Sequence, residues 1–304
     1  MPQARCTALP RRFRRPSVLI VGCGDVGLRV AALLRSKVRV CALTSSPSRR
    51  ADLRAAGIRP VLGNLDQPAS LRRLAALGTR VLHLAPPAPE GLADPRTRHL
   101  LQALTRSRQA RRLVYGSTTG VYGDCQGAWL DETRRVAPHT ERAQRRVDAE
   151  RQLRACGRRR RTQVTLLRIP GIYAANREGG PQQRLLRGTP VLRQEDDVYT
   201  NHIHADDLAR ACVLALWRGR PQRVVNVCDD TVLKMGDYFD AAAALYRLPP
   251  PRRITRAEAQ AELSAMTLSF LSESRRLRND RLKRELRLRL RHPTLGSSGV
   301  EGAG

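Results

Sequence analysis

Lysine is almost missing from this chain: Lys37, Lys234 and Lys283 are the only three, so arginine supplies 53 of the 56 basic residues. Aromatic side chains are scarce too, at 4%, which argues against a nucleic-acid surface built on base stacking. The seven cysteines are an odd number and contain no CxxC pair. That excludes a disulfide framework or a zinc ribbon as the organising principle and suits a reducing cytoplasm. No apolar run approaches the roughly 20 residues of a membrane span; the run SVLIVG after the basic leader is short and soon meets Asp25. With 27 acidic residues against 56 basic ones, the net charge is +29. The arginines are spread from Arg5 to Arg291. They read as a solvated surface, with unspecific affinity for nucleic acid possible and a polyanion or nucleic-acid binder acting through that surface as the alternative.

What is present is a repeating pattern. Short apolar runs alternate with amphipathic helical segments: SVLIVG then LRVAALLRS, VRVCAL then RRADLRAAG, RPVLG then ASLRRLAAL, RVLHLAP then RHLLQALTRS, RRLVYGS then TERAQRRVDAERQLRA, and finally QVTLLRIPG. Continuous apolar strands between amphipathic helices predict a doubly wound α/β fold, a Rossmann-like parallel sheet covered on both faces. The expected organisation is a disordered basic leader at 1–16 and a dinucleotide-binding domain at 17–168, its sheet completed from 200–228. A smaller substrate-side domain is expected from 169–199 and 229–292, and a flexible tail at 293–304.

The first strand runs into Gly22-Cys23-Gly24-Asp25-Val26-Gly27, a GxGxxG followed directly by a helix. The first glycine permits the tight turn, the second lets a pyrophosphate reach the backbone, and the third lets helix and strand pack closely. Where an NAD site usually carries an acidic residue, the second strand ends in Thr44 with Arg49 and Arg50 close behind and no carboxylate between. A 2′-phosphate is accommodated there, so NADP is favoured over NAD.

Taken in order, VGCGDVG, GNLD at 63–66, HLAPP after the fourth strand, STTGVYG after the fifth, LRIPGIY at 167–173 and NHIHADDLARA at 201–211 carry a resemblance. From about Ser17 to His292 the chain is similar to extended short-chain dehydrogenases/reductases of the NAD-dependent epimerase/dehydratase group. The resemblance implies that Asn64 and Leu65 face the adenine, and that Leu84, Ala85 and Pro86 line the cofactor. It further implies that Ser117 borders the cofactor, and that Pro170, Gly171 and Ile172 lie near the nicotinamide. Such enzymes use a Ser/Thr with YxxxK on the helix after the fifth strand, the lysine holding the ribose and lowering the tyrosine pKa for proton exchange. Here Thr118 keeps the hydroxyl, but Arg142 stands at the tyrosine position and Arg146 at the lysine position. YxxxK has become RxxxR.

Arginine does not give up its proton at working pH, so Arg142 is no general acid or base. Two readings follow: an oxidoreductase or epimerase-like enzyme acting on a small molecule through another donor, or a dinucleotide-binding regulator or scaffold without turnover. The candidate donors are Tyr122, Tyr173, Tyr199, His202 and His204. On the substrate side Arg168, Arg177 and Arg184 are candidates to meet an anionic group, with Tyr173 and His202 beside them. Asp206 and Asp207 are expected to cap a helix, and no metal site is expected from HxH and this aspartate pair.

Overall fold

The computed structural model describes residues 16–105, 110–175 and 177–297. The expected leader, apart from Pro16, and the last seven residues of the expected tail lie outside these described residues. Strand β1 (Ser17–Val21) and helix α1 (Asp25–Leu34) open an alternation that continues through β2 (Arg39–Thr44), α2 (Arg49–Ala55), β3 (Arg59–Leu62), β4 (Arg80–His83), α3 (Pro95–Thr105) and β5 (Arg112–Thr118). Short β6 (Trp129–Leu130) precedes α4 (Glu141–Arg160), and β7 (Gln163–Ile169) returns to the sheet. The chain then leaves through β8 (Gly171–Tyr173), α5 (Pro181–Leu186), β9 (Val191–Leu192) and β10 (Tyr199–Thr200). It comes back by β11 (His202–His204) and α6 (Ala205–Arg218) to β12 (Arg223–Asn226). The last stretch holds β13 (Leu233–Lys234), α7 (Met235–Tyr246), β14 (Arg253–Ile254), α8 (Arg256–Glu262), α9 (Ala265–Leu271), β15 (Arg276–Leu277) and α10 (Asp280–Arg284).

Seven strands form one sheet in the order β12-β7-β5-β4-β1-β2-β3, with every neighbouring pair parallel. The strands are buried because helices cover both faces, which is why they read as continuous apolar runs. One face packs Val18, Ile20, Val40 and Val114 against α1 and α6; the other packs Leu19, Cys41, Tyr115 and Leu166 against α3 and α4. The strand order reverses between β1 and β4, and the crevice beyond their carboxyl ends is where such a sheet takes its ligand.

Two local expectations change. The segment after β3 is a 3-10 helix, Pro68–Ala76, in which Leu71 and Leu74 are buried. Their spacing of three matches the three residues per turn of that helix. The expected tail begins later than 293: Leu295 is buried in a third apolar cluster with Tyr173, Tyr238, Phe239 and Ile254, and the Asp230 amide donates to the Pro293 carbonyl at 2.7 Å. That cluster is the core of the smaller unit outside the sheet.

Candidate active site

The glycine loop is shaped by what its glycines leave out. Gly22 has φ +88°, and a Cβ there would lie 2.3 Å from the Ala85 amide nitrogen. This close approach ties the end of β1 to the end of β4, where Leu84 and Ala85 both donate to the Val21 carbonyl. A Cβ on Gly24 would meet nothing within 4 Å, so the loop is open where a pyrophosphate approaches. A Cβ on Gly27 would crowd the Gly22 carbonyl at 3.1 Å and Ile20 at 3.4 Å, which keeps α1 against β1. Gly24 is the N-cap of α1 and offers no side chain to its first N–H groups; those groups are an anion cradle. The residues present fit a dinucleotide.

Cys23 faces inward, and burial pushes its thiol up to about 11 against the opposing pull of Arg49. Arg49 arches from the start of α2 to this loop, its Nη2 donating to the Cys23 carbonyl at 2.8 Å. Beside it Thr44 Oγ1 accepts from the Ser46 amide, and the Ser46 and Ser48 hydroxyls share a 2.8 Å bond. A cation and three hydroxyls therefore stand at the end of β2, and the carboxylate of an NAD site is absent from the sequence there. Asn64 turns its Oδ1 to the Asp66 amide at 3.0 Å and thereby shapes the loop after β3, while Leu65 is buried.

Sequence reasoning missed Arg96 and Arg29, and gave Arg177 to an anionic substrate; all three hold these loops together. Arg96 forks onto Asp66 at 2.8 and 2.7 Å and donates to the carbonyls of Pro86 and Pro87, clamping the loops after β3 and β4 to each other. Arg177 pairs with Asp25, joining the segment after β8 to the glycine loop. Arg29 also bonds Asp25, at 2.9 Å, and Asp206 at 2.5 Å. So Asp25, expected as a cofactor-binding residue of the glycine loop, ties the start of α1 to the segment after β8, and Arg29 carries the network on to α6. The pairing partners lie up to 177 positions from Arg29, and no periodicity signals such a distance.

At the other end of the cleft, Thr118 closes β5 and its Oγ1 accepts from the Gly120 amide at 3.3 Å. A Cβ on Gly120 would sit 3.7 Å from Thr118 and 3.9 Å from Ala143, so the Thr118 side chain and the first turn of α4 both flank Gly120. Ser117 is buried, and its hydroxyl has no hydrogen-bond partner. Arg146 donates to the Gly116 carbonyl at 2.8 Å and to the Tyr115 hydroxyl at 3.0 Å. Burial, only partly offset by Arg146, pushes Tyr115 up to about 12. Arg142 is exposed, with its guanidinium 4.8 Å from the centre of the Phe270 ring, so α9 lies beside it. Partial desolvation and the neighbouring Arg146 charge lower its affinity for a proton.

Several expected site residues are placed elsewhere. Tyr122 is 1% exposed and donates its hydroxyl to Asn226 at 2.7 Å; burial takes it up to about 12. It belongs to the wall between β5 and β12 and is no accessible proton donor. Arg168 is not a substrate contact: it is buried, forks onto Glu150 at 3.1 and 2.7 Å, and lies 4.6 Å from the Tyr122 ring centre. Its place on β7 under α4 leaves it no route to a ligand. Tyr173 is buried with its ring edge toward His202 and His204. His202 stacks on Tyr238 at 3.6 Å, and burial, followed by the Arg184 charge, takes its pKa down to about 3. It is a neutral ring packed into the smaller unit. The cap of α6 is also different from the expectation: His204 Nδ1 accepts from the Asp206 amide at 3.3 Å, while Asp207 is fully buried and accepts from the amides of Arg291 and His292. The aspartates occupy the first turn, where their charge suits the helix dipole.

A family model described as the NAD dependent epimerase/dehydratase family matches residues 18–228. The chain belongs to that family. Its glycine loop is accordingly a site for a nicotinamide dinucleotide. Among solved structures, a functionally unknown conserved protein from Silicibacter pomeroyi is 31% identical, with 92% of this chain and 95% of that one covered and a TM-score of 0.79. A UDP-glucose 4-epimerase from Thermotoga maritima with UDP-glucose shares 18% identity, 93% and 96% coverage and a TM-score of 0.73. A dTDP-glucose 4,6-dehydratase from Bacillus anthracis in complex with NAD shares 14%, 91% and 92%, and 0.73. None of the curated proteins matches the chain. Among the described residues no helix is long and apolar enough to cross a membrane.

Proposed function

We propose that this family member binds NADP(H) in preference to NAD(H) and carries out hydride-transfer chemistry, of the oxidoreductase or epimerase/dehydratase type, on a small carbonyl or sugar-nucleotide-like substrate. The observation that carries the NADP reading is Arg49, whose guanidinium reaches the glycine loop at the Cys23 carbonyl where an NAD site would carry a carboxylate. A planar guanidinium there pairs with a 2′-phosphate through charge-assisted hydrogen bonds. Relatives of the same fold hold UDP-glucose or NAD, which supports a nucleotide-linked small molecule as substrate. Bound dinucleotide supplies the hydride.

The chain's own residues then have separable tasks. Gly22, Gly24 and Val26 to Gly27 receive the pyrophosphate, Thr44 and Arg49 the adenosine side, and Asn64, Leu65, Leu84, Ala85 and Pro86 the walls. Ser117, Pro170 and Ile172 border the nicotinamide. Thr118 orients the substrate oxygen by hydrogen bonding, and Arg146 stabilises negative charge that develops on it. Arg142 and Arg146 remain protonated throughout, so the final proton comes from water or substrate.

The burial and engagement of Tyr122, Tyr173 and His202 favour a second reading, binding without turnover. Both readings are tested together. Calorimetric titration of purified protein should give NADPH an affinity at least about tenfold above that of NADH, and Arg49→Ala should erase the difference, since one charge-assisted contact is worth about 1.5–3 kcal/mol. Equal affinities in the unaltered protein would refute the NADP assignment. A broad carbonyl and sugar-nucleotide panel that leaves nicotinamide absorbance unchanged while NADPH binds would favour the second reading.

A further inference from the structure

Where β11 runs into α6, beside Tyr173 of β8, three side chains meet, one of them from far along the sequence. His204 caps α6, Asp206 lies in its first turn, and His292 arrives from the C-terminal segment. One ligand atom from each lies within 4.8 Å of the others. The two imidazoles stack at 3.7 Å with 28° between their planes. His204 Nδ1 accepts from the Asp206 amide at 3.3 Å, a long bond whose single lone pair an ion would take over. Asp206 Oδ2 faces it at 3.9 Å. Two electron-pair donors thus stand opposite each other, beside the stacked imidazole of His292.

We infer that His204, Asp206 and His292 form a binding site for a divalent transition-metal ion, of which zinc is the type. Two imidazoles and one carboxylate are the donor set of a three-ligand zinc site with an open position for water. The surroundings hold the donors in place. Arg29 grips the other carboxylate oxygen, Asp206 Oδ1, at 2.5 Å. Asp207 accepts from the backbone amides of Arg291 and His292 at 2.9 and 2.8 Å, which fixes the segment bearing the third ligand. These are the supporting contacts that metal ligands need. Tetrahedral ligation at about 2.0–2.1 Å puts donor atoms about 3.4 Å apart, so the half-buried Asp206 and His292 must draw in by roughly 1 Å toward the buried His204. The ion would tie the C-terminal segment to the start of α6.

The test is a titration of full-length, tag-free protein, freed of metal with a chelator, with Co²⁺ followed by visible absorbance and then displaced by Zn²⁺. One ion per chain is expected, with ligand-field bands and no thiolate charge-transfer band, because the donors are nitrogen and oxygen. Mg²⁺, which prefers oxygen ligands, should not displace it. His292→Ala and, as a shape-preserving second variant, Asp206→Asn should each weaken binding by about 100-fold and remove the zinc-dependent rise in melting temperature. The proposal falls if the unaltered protein takes up no stoichiometric ion, or if His292→Ala binds it as tightly.

Discussion

The two ends of the cleft are built by opposite means. At the glycine loop the backbone does the binding: an open Gly24, a close-packed Gly27 and uncapped amides of α1 form the cradle. At the β5 end the proposed chemistry depends on side chains, and α4 brings Arg146 there, bonded to Gly116 and Tyr115. A backbone site needs only the absence of a Cβ and tolerates change around it. A side-chain site is redefined by a single substitution, because proton transfer requires a group that can lose a proton.

The largest effect that would break this contrast is at the backbone end. Gly24→Asp should lower dinucleotide affinity by more than about 100-fold while leaving the fold intact, since a Cβ there meets no atom within 4 Å and the carboxylate brings negative charge to the pyrophosphate cradle. Titration of the folded variant decides it, and undiminished affinity would refute the cradle. Next, Glu150→Ala leaves Arg168 buried without its carboxylate. We expect a loss of about 3–5 kcal/mol in denaturant unfolding, much more than from Arg142→Ala, although both residues sit on α4.

A pH experiment sharpens the same distinction between framework and site. Asp229 ends the stretch after β12, and burial, countered by its bonds to Thr231 and Tyr173, raises its carboxyl pKa to about 7 from an ordinary 3.8. The folded form therefore holds a proton that the unfolded form has lost, and stability falls as pH rises from about 4 to about 7. Asp229→Asn should flatten this slope, with the gain over the unaltered protein reaching a few kcal/mol above pH 7. Equal slopes in the two proteins would count against a raised pKa. The smallest effect is expected for Arg146→Ala. It removes bonds to Gly116 and Tyr115 and should change stability by about 1 kcal/mol, while lowering turnover or dinucleotide affinity by a larger factor.

The alternation of strands and helices and the glycine turn into α1 were legible in the chain, because each is a pattern of neighbours in sequence. Tyr122 and Arg168 were not, since both look like site residues in their motifs. Whether their polar groups face a ligand depends on Asn226 and Glu150, which pack against them from other elements. Arg142 shows the same limit: Phe270, against which its guanidinium lies, is on α9, well over a hundred residues further on.

Local chemistry by itself determined the parallel α/β architecture, the family and the dinucleotide loop, because hydrophobic period and glycine spacing act over a few residues. Only the tertiary structure decided which charges are spent on one another. Arg168 went to Glu150, Asp25 to Arg29 and Arg177, and Asp207 to the amides that bring His292 beside His204. In a chain with 53 arginines, a charge's role is set by what lies within hydrogen-bond reach, and that reach is created by folding.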